Sequence, residues 1–167
     1  MKSGPLTAEA LRNFLSYDEK TGEFVWIANP KHGKRRLGNR TGFINASGYL
    51  AIGIFGKKHP AHRLAWLYVY GAWPNADIDH INGDRTDNRI ENLRDVTRQT
   101  NMENMRGPTS RNKSGFMGVS FHNVAKRWRA SIRANGKTMR LGYYDTPEEA
   151  HQVYLVAKRE FHVGCTI

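Results

Sequence analysis

The sequence lacks features on which several classes of protein depend. It has one cysteine, Cys165, so it can form neither an intramolecular disulfide nor a zinc site built from several cysteines. It contains no apolar run of about 18 residues, and no signal-like apolar run follows Met1-Lys2, which predicts no membrane partner. A lone thiol is typical of proteins from a reducing compartment, and we therefore expect a cytoplasmic location.

Acidic residues are also scarce in this chain. There are 15 Asp and Glu against 26 Lys and Arg, which gives a net charge of +11 and a pI near 10.0. A charge balance of this kind favours a polyanionic partner. The shortage is greatest between Asn104 and Tyr144, where no acidic residue occurs. This shift in composition predicts two small modules, joined by a linker around Gly107-Pro108-Thr109-Ser110.

The centre of the chain combines a histidine with hard metal ligands. His80 follows Asp79, and Asn92 and Asn101 come later in the sequence. A neutral imidazole can accept a proton from water near pH 7, and carboxylate or amide oxygens suit the octahedral shell of magnesium. Hydrolysis of a phosphodiester needs both an activated water and a cation that stabilises the leaving oxygen. These residues therefore predict a metal-dependent nuclease.

The spacing of the motif predicts how its residues meet. Successive side chains of a strand point to opposite faces, so Asp79 and His80 can serve one site only at a strand end, before the turn Asn82-Gly83-Asp84. A second strand is predicted at 92–97, followed by a helix that includes Asn101. Strand, loop, strand and helix would return Asn101 to Asp79, with Asn104 as a rival ligand one helical turn later.

This pattern resembles the HNH, or ββα-metal, endonuclease motif of the phage homing type. The similarity extends upstream through Gly48-Tyr49-Leu50 and His62-Arg63-Leu64-Ala65-Trp66. The resemblance implies that His80 is the general base and faces the scissile bond, that Asp79 and Asn101 bind the metal, and that Asn92 braces the loop. It also implies one divalent ion, Mg²⁺ or Mn²⁺, products with 5′-phosphate and 3′-hydroxyl ends, and a bacterial or phage-infected host cell. Asn101 stands where the motif's name has histidine, which favours magnesium over zinc.

The residues before the motif predict a supporting layer. Thr7 is expected to cap a helix that places Leu11, Phe14 and Leu15 on one face. Strands are predicted at 23–26 and 49–55.

Two further features of this part of the chain have open interpretations. The segment 31–40 is rich in Lys and Arg, and its predicted role is contact with phosphate. His62 is either a structural hydrogen-bonding group or a neighbour of the active site, and the sequence favours the first.

The second module predicts a three-stranded antiparallel sheet packed on one helix. Strands are expected near 118–122, 127–134 and 138–143, with Asn135-Gly136 as a hairpin turn. Thr146 and Glu149 form a predicted capping box at the start of the helix. The residues expected to face the sheet from this helix are Ala150, Val153, Tyr154, Ala157 and Phe161.

The predicted sheet has an apolar inner face and a basic outer face, because Trp128, Ala130 and Ile132 alternate with Arg129, Ser131 and Arg133. Residues 114–161 resemble the APETALA-type (ethylene-response-factor) DNA-binding domain, notably through 126–133 and Leu141-Gly142-Tyr143-Tyr144-Asp145-Thr146. Arginines on a sheet can read bases in the major groove. Together with Arg129 on the same face, the DNA-binding positions that the resemblance implies are Ser120, His122, Ser131, Arg133, Thr138 and Arg140.

The predicted protein is an α+β DNA endonuclease with two modules. Its expected parts are an HNH domain at 1–106, a linker at 107–113 and a DNA-binding domain at 114–167. Tandem modules give an extended footprint on double-stranded DNA without a second subunit, which predicts a monomer. Two other functions stay open at this point: a non-catalytic, sequence-specific DNA-binding regulator, and a protein that acts on RNA.

Overall fold

A computed structural model describes residues 6–29 and 37–167 and shows a mixed architecture of helices and antiparallel sheets, which confirms the predicted α+β class. The chain forms two compact units, one extending to Thr97 and one from Arg98 to Ile167. The predicted domain limits at 106 and 114 stay a prediction. Within the described residues, no helix is both long enough and apolar enough to span a lipid bilayer.

The first unit begins with a short helix and a hairpin. Helix α1 (Ala8–Arg12) starts as predicted, since the Thr7 hydroxyl accepts a hydrogen bond from the Ala10 amide at 3.1 Å. The prediction that Phe14 and Leu15 continue its apolar face was wrong. Leu15 instead begins strand β1 (Leu15–Asp18), which pairs with β2 (Glu23–Trp26) and buries Leu15 in the core.

A second sheet follows in the order β3-β4-β5, with strands Phe43–Ile44, Leu50–Ile54 and Lys57–Pro60. Phe55 and Gly56, with φ of 49° and 76°, make the tight turn between β4 and β5. Helix α2 (Ala61–Tyr70) packs on this sheet and ends at Gly71. Most of the basic segment that begins at Lys31 lies outside the described residues.

The predicted motif forms a third, two-stranded sheet in the first unit. Strand β6 (Asp77–His80) pairs with β7 (Leu93–Val96), and His80 lies opposite Leu93. His80 is the last residue of its strand, as the spacing predicted. The loop 81–92 joins the two strands and closes with a 3-10 turn at Ile90–Asn92. The buried core beneath it includes Phe24, Trp26, Ile52, Ile54, Leu64, Leu67, Ile78 and Leu93.

The second unit begins with helix α3 (Arg98–Glu103) and continues into the predicted sheet and helix. The strands are β8 (Val119–His122), β9 (Arg127–Ala134) and β10 (Lys137–Tyr144), in the order β10-β9-β8. Helix α4 (Pro147–Phe161) has the predicted capping box at Thr146 and Glu149.

The core between α4 and the sheet follows the predicted alternation. Ala130 and Ile132 are buried against Ala150 and Tyr154, whereas Phe161 at the helix end is 38% exposed.

Candidate active site and nucleic-acid interface

Asn92 cross-links the loop that follows β6. Its Oδ1 accepts a hydrogen bond from the Asn82 amide at 2.9 Å, while its Nδ2 donates to Asn82 Oδ1 at 3.0 Å and to the Asp87 carbonyl at 2.8 Å. The residue is 6% exposed. Three bonds from one buried amide hold both sides of the loop together.

Charge-assisted bonds close the outer part of the same loop. The Asp87 carboxylate accepts bonds from Arg89 Nε at 2.9 Å, Arg89 Nη2 at 2.8 Å and Asn82 Nδ2 at 2.7 Å. The bonds from Arg89 hold the pKa of Asp87 at about 2, so this carboxylate is ionised near neutral pH. The loop is therefore ordered by its own side chains.

His80 lies inside this framework, with 4% of the residue exposed. Its Nε2 is 3.4 Å from Asn88 Oδ1. Burial lowers the pKa of His80 from its usual value of 6.5, although the Asn88 contact and nearby carboxylates act in the opposite direction. An imidazole with a lowered pKa is neutral near pH 7, which is the form that can accept a proton.

Aromatic rings pack against His80. The Tyr49 ring lies 5.8 Å from the His80 ring, and the His62 ring lies edge-on at 5.0 Å with an interplanar angle of 86°. Tyr49 also contacts His62 at 5.2 Å, and the Arg85 guanidinium lies over Tyr49 at 5.1 Å. His80 therefore belongs to a cluster of three rings with Tyr49 and His62.

His62 is 8% exposed, and its Nδ1 is buried without a hydrogen-bond partner among the described residues. Burial, followed by His80 and Arg63, lowers the pKa of His62 to about 3. The sequence favoured a structural hydrogen-bonding role for His62, but its Nδ1 makes no hydrogen bond within the described residues. Contact with His80 favours the other interpretation, a neighbour of the active site.

Asp79 is buried beside β7 and is paired with an arginine. Its Oδ2 accepts bonds from Arg94 Nε at 2.8 Å and Arg94 Nη2 at 2.7 Å. A buried carboxylate requires such a partner, because an uncompensated charge in the interior costs several kcal/mol. The guanidinium therefore balances a carboxylate that the sequence assigned to a metal.

The two candidate amide ligands belong to the second unit. Asn101 lies in α3 and is half-buried, whereas Asn104 follows the helix and is 4% exposed. The Asn104 Oδ1 accepts a hydrogen bond from the Thr166 hydroxyl at 2.5 Å. This bond engages the oxygen that Asn104 would offer to a cation.

The available donor set fits a hard cation better than zinc. Within residues 6–29 and 37–167, no group of three or more His, Cys, Asp or Glu side chains is arranged to hold a metal ion. Magnesium is commonly held by one or two protein oxygens together with substrate phosphates and waters. A carboxylate such as Asp79 with an amide oxygen matches that chemistry.

The predicted DNA-binding residues share the outer face of the sheet in the second unit. Cross-strand pairing places Ser120 opposite Arg129, Ser131 opposite Arg140 and Arg133 opposite Thr138. His122 has the same orientation as Ser120, because residues two apart on a strand face the same side. The register therefore brings these seven side chains onto one surface, named here the basic sheet face: Ser120, His122, Arg129, Ser131, Arg133, Thr138 and Arg140.

Tyr143 also belongs to the basic sheet face, and sequence reasoning missed it. A bulge between Arg140 and Gly142 shifts the register, so Tyr143 lies opposite Arg129. Its ring contacts the His122 ring at 5.1 Å and the Arg140 guanidinium at 5.8 Å. Simple alternation along β10 does not reveal this placement, but the second glycine of the hairpin, Gly142 with φ of 144°, is a signal for a bulge.

Comparison with known proteins gives one family match and several relatives. Residues 59–103 match a family described as HNH endonuclease. Protein 3.8 of Escherichia phage T7 is 32% identical over 109 residues, which cover 65% of this chain and 88% of that protein. The uncharacterized HNH endonuclease L560 of Acanthamoeba polyphaga mimivirus is 31% identical over 119 residues, covering 71% of this chain and 60% of that protein.

A plant relative and a solved structure are also similar. The AP2-like ethylene-responsive transcription factor ANT of Arabidopsis thaliana is 29% identical over 115 residues, covering 66% of this chain and only 21% of that protein. A structure described as DNA binding and cleavage by the HNH homing endonuclease I-HmuI covers 90% of this chain and 88% of that chain, with 22% identity and a TM-score of 0.41.

Proposed function

Because this chain belongs to the HNH endonuclease family and is a DNA nuclease, we propose that it hydrolyses phosphodiester bonds of double-stranded DNA with His80 as the general base. The observation that carries this proposal is the position of His80, a neutral imidazole at the end of β6 with Nε2 facing Asn88 Oδ1. A water molecule attacks phosphorus and gives its proton to His80, while the bond between phosphorus and the 3′ oxygen breaks. The 3′ oxygen takes up a proton from solvent, which gives a 5′-phosphate and a 3′-hydroxyl.

Asp79 and Asn101 would hold a divalent ion, Mg²⁺ with Mn²⁺ as a substitute, and the bound ion would stabilise negative charge on the leaving oxygen. Arg94 donates to Asp79 Oδ2, so its guanidinium lies beside any cation that this carboxylate would hold. The enclosure of His80 further implies that substrate binding displaces part of the cover formed by Tyr49 and Arg85.

The basic sheet face supplies site recognition in this proposal. It carries Arg129, Arg133 and Arg140 on adjacent strands, and the chain has no acidic residue between Asn104 and Tyr144. A face of this charge can enter a major groove and contact both phosphates and bases. The similarity of this chain to proteins named as ethylene-responsive transcription factors also supports DNA as the ligand of this sheet.

The biological setting is proposed from the same observations. The motif around His80 supports a homing-type nuclease, and the relatives from a bacteriophage and a giant virus support a viral origin. We expect the protein to act as a monomer on DNA in the cytoplasm of the bacterial or infected cell.

The experiment is cleavage of supercoiled and linear duplex DNA by the purified chain with Mg²⁺, followed by mapping of the cut ends on each strand. Wild-type protein should give 5′-phosphate and 3′-hydroxyl ends, and EDTA should stop the reaction. His80→Ala should lose cleavage by at least about 10²-fold while keeping its affinity for DNA. Equal cutting by this variant would reject His80 as the base. Cleavage that continues in the presence of EDTA would reject the need for a metal ion.

A further inference from the structure

We propose that the N-terminal hairpin β1–β2 is a positioning element of the catalytic site, because it holds the backbone of Asn88 and thereby sets the ring orientation and tautomer of His80. The inference rests on the proposed role of His80 as general base. It assigns a role in the reaction to a hairpin that shares no residue with the HNH motif. Three contacts within the first unit carry the argument, and they form a continuous path from the hairpin to the imidazole.

The path ends at the side chain of Asn88, which is 1% exposed. Its Nδ2 donates to the Thr86 carbonyl at 2.9 Å, and this bond fixes which end of the amide faces His80. The end that faces the ring is therefore Oδ1, an acceptor, at 3.4 Å from Nε2. An acceptor at this position favours the tautomer with the proton on Nε2, and in that tautomer Nδ1 is the nitrogen that carries a lone pair.

The first contact with the hairpin is a buried hydrogen bond. The Tyr17 hydroxyl, on β1, donates to the backbone carbonyl of Asn88 at 2.7 Å. Burial raises the pKa of Tyr17 above its usual value, so the hydroxyl remains a donor throughout the pH range of the reaction. The bond connects two residues 71 positions apart in the sequence.

The second contact is a close approach of backbone to backbone at the hairpin turn. Gly22 has φ of +74°, and a Cβ at this position would lie 2.5 Å from the Arg89 nitrogen and 2.6 Å from the Asn88 carbonyl carbon. Real Cβ atoms do not approach backbone so closely, so any side chain at position 22 would push residues 88 and 89 away. The turn therefore packs directly against the backbone of Asn88 and limits where this peptide can lie.

These contacts have a direct chemical consequence. Moving the Asn88 carboxamide by an ångström would weaken a contact that is already 3.4 Å long and would release the His80 ring to rotate or change tautomer. Misplacement of a reacting group on this scale costs about 10²-fold in rate. A change in the hairpin is thus expected to lower kcat without touching a DNA-binding residue.

The test uses three variants of the full chain and two matched controls. Tyr17→Phe removes only the hydroxyl, Gly22→Ala adds the obstructing methyl group, and Asn88→Leu removes the acceptor. Tyr68→Phe is the control for Tyr17, because its ring packs against Tyr17 at 5.7 Å in the same aromatic cluster. Gly38→Ala is the control for Gly22, because Gly38 has a similar φ of +79° but nothing within 4 Å of its Cβ position.

Three quantities are measured for each protein: kcat and KM for cleavage of duplex DNA with Mg²⁺, the Kd for the same DNA, and the tautomer of His80 from two-bond ¹⁵N–¹H correlations. Wild-type His80 should carry its proton on Nε2. Asn88→Leu should lose kcat by about 10²-fold, and Tyr17→Phe and Gly22→Ala by about 10-fold, with KM and Kd unchanged. Each of the three should also show mixed tautomers, whereas both controls should match wild type.

The tautomer needs no catalysis, so this inference and the proposed function can fail separately. A wild-type protein that cuts no DNA, combined with tautomer changes in Tyr17→Phe and Gly22→Ala, would support the positioning path and reject the nuclease assignment. Cleavage by wild type with His80 protonated on Nδ1 would overturn the path. Losses of kcat in Gly22→Ala that Gly38→Ala reproduces would overturn it as well, since left-handed strain alone would then explain them.

Discussion

Some of the polar groups of the loop around His80 are buried, whereas several of those on the basic sheet face are exposed. In the loop, Asn88 and Asn92 are almost fully buried and are hydrogen bonded to their neighbours. On the sheet face, Arg133, Thr138 and Arg140 are exposed. The groups proposed for chemistry are thus oriented by the protein before substrate arrives, whereas these three groups proposed for recognition are exposed to a ligand.

This contrast has an energetic consequence that substitutions can measure. Removing a buried amide leaves its hydrogen-bond partners unsatisfied, and each buried partner left in this way costs about 1–3 kcal/mol. An exposed arginine contributes little to folding but changes binding and its salt dependence. Changes in the loop should therefore lower stability and rate together, and changes on the sheet face should lower affinity alone.

The largest expected effect follows from Asn92→Ala, which removes three hydrogen bonds at once. We expect the free energy of unfolding to fall by about 3 kcal/mol and kcat to fall by more than about 10²-fold. Urea denaturation and single-turnover cleavage measure the two quantities. Asn123→Ala, at an exposed position, is the control and should change neither. Full activity in Asn92→Ala would show that the loop needs no brace.

A second effect concerns the pairing of Asp79 with Arg94. Arg94→Leu leaves a buried carboxylate without this partner and should lower the free energy of unfolding by about 3 kcal/mol. Mg²⁺ or Mn²⁺ should restore part of this loss, and more than it stabilises wild type, because the cation replaces the lost charge. Urea denaturation with and without the metal measures both changes.

The exposed pair between Arg127 and Asp145 offers the matched control for that measurement. Arg127→Leu should cost less than about 1 kcal/mol and show no response to metal beyond that of wild type. Equal metal responses in the two variants would remove the support for Asp79 as a ligand.

The two units differ in how much of them the sequence predicted. In the second unit, the limits of β9, the Asn135-Gly136 turn and the capping box at Thr146 were predicted and are confirmed. Each depends on neighbours within a few residues, so a local pattern is sufficient. The bulge that places Tyr143 on the basic sheet face was missed, because register between strands is a relation that alternation alone does not contain.

In the first unit the strand end at His80 was predicted, but most of its surroundings were not, although a place for His62 beside the site was one of two open interpretations. Tyr17, Gly22, Tyr49 and His62 are far from His80 in sequence, and only the packing of separate elements brings them into the same region. The helix predicted through Leu15 was also wrong, since pairing with Trp26 outweighs a short helical pattern. Contacts between residues so far apart in the sequence depend on tertiary packing, and a local sequence pattern does not reveal them.

The pH dependence of stability is a third way to test the enclosed site. The folded-state pKa of His62 is about 3, below its usual value of 6.5, so the unfolded chain binds a proton that the folded chain does not. The stability from this group is complete above pH 6.5 and is lost as pH falls toward 3. At pH 5 the loss should be about 2 kcal/mol.

His62→Phe removes this contribution, so its unfolding free energy should fall less steeply than that of wild type between pH 7 and pH 4. Chemical denaturation at several pH values gives the slopes. Parallel curves for the two proteins would mean that His62 has the same pKa in the folded and unfolded chains and is not enclosed with His80.

The smallest expected effect follows from the double substitution Arg133→Ala with Arg140→Ala. This variant tests the exposed groups of the basic sheet face. Two lost phosphate or base contacts should weaken DNA binding by about 10-fold or more and reduce the salt slope of log K by about 2, while Tm and kcat at saturating DNA stay unchanged. Arg127→Ala is the control for the loss of a single charge, because it removes one arginine from β9, the strand of Arg133, but its guanidinium already pairs with Asp145. Fluorescence anisotropy at several salt concentrations measures the slope. A slope equal to that of wild type would mean that DNA does not lie on this face, and an equal loss of affinity in Arg127→Ala would mean that net charge, and not the position of the arginines on the sheet, attracts DNA.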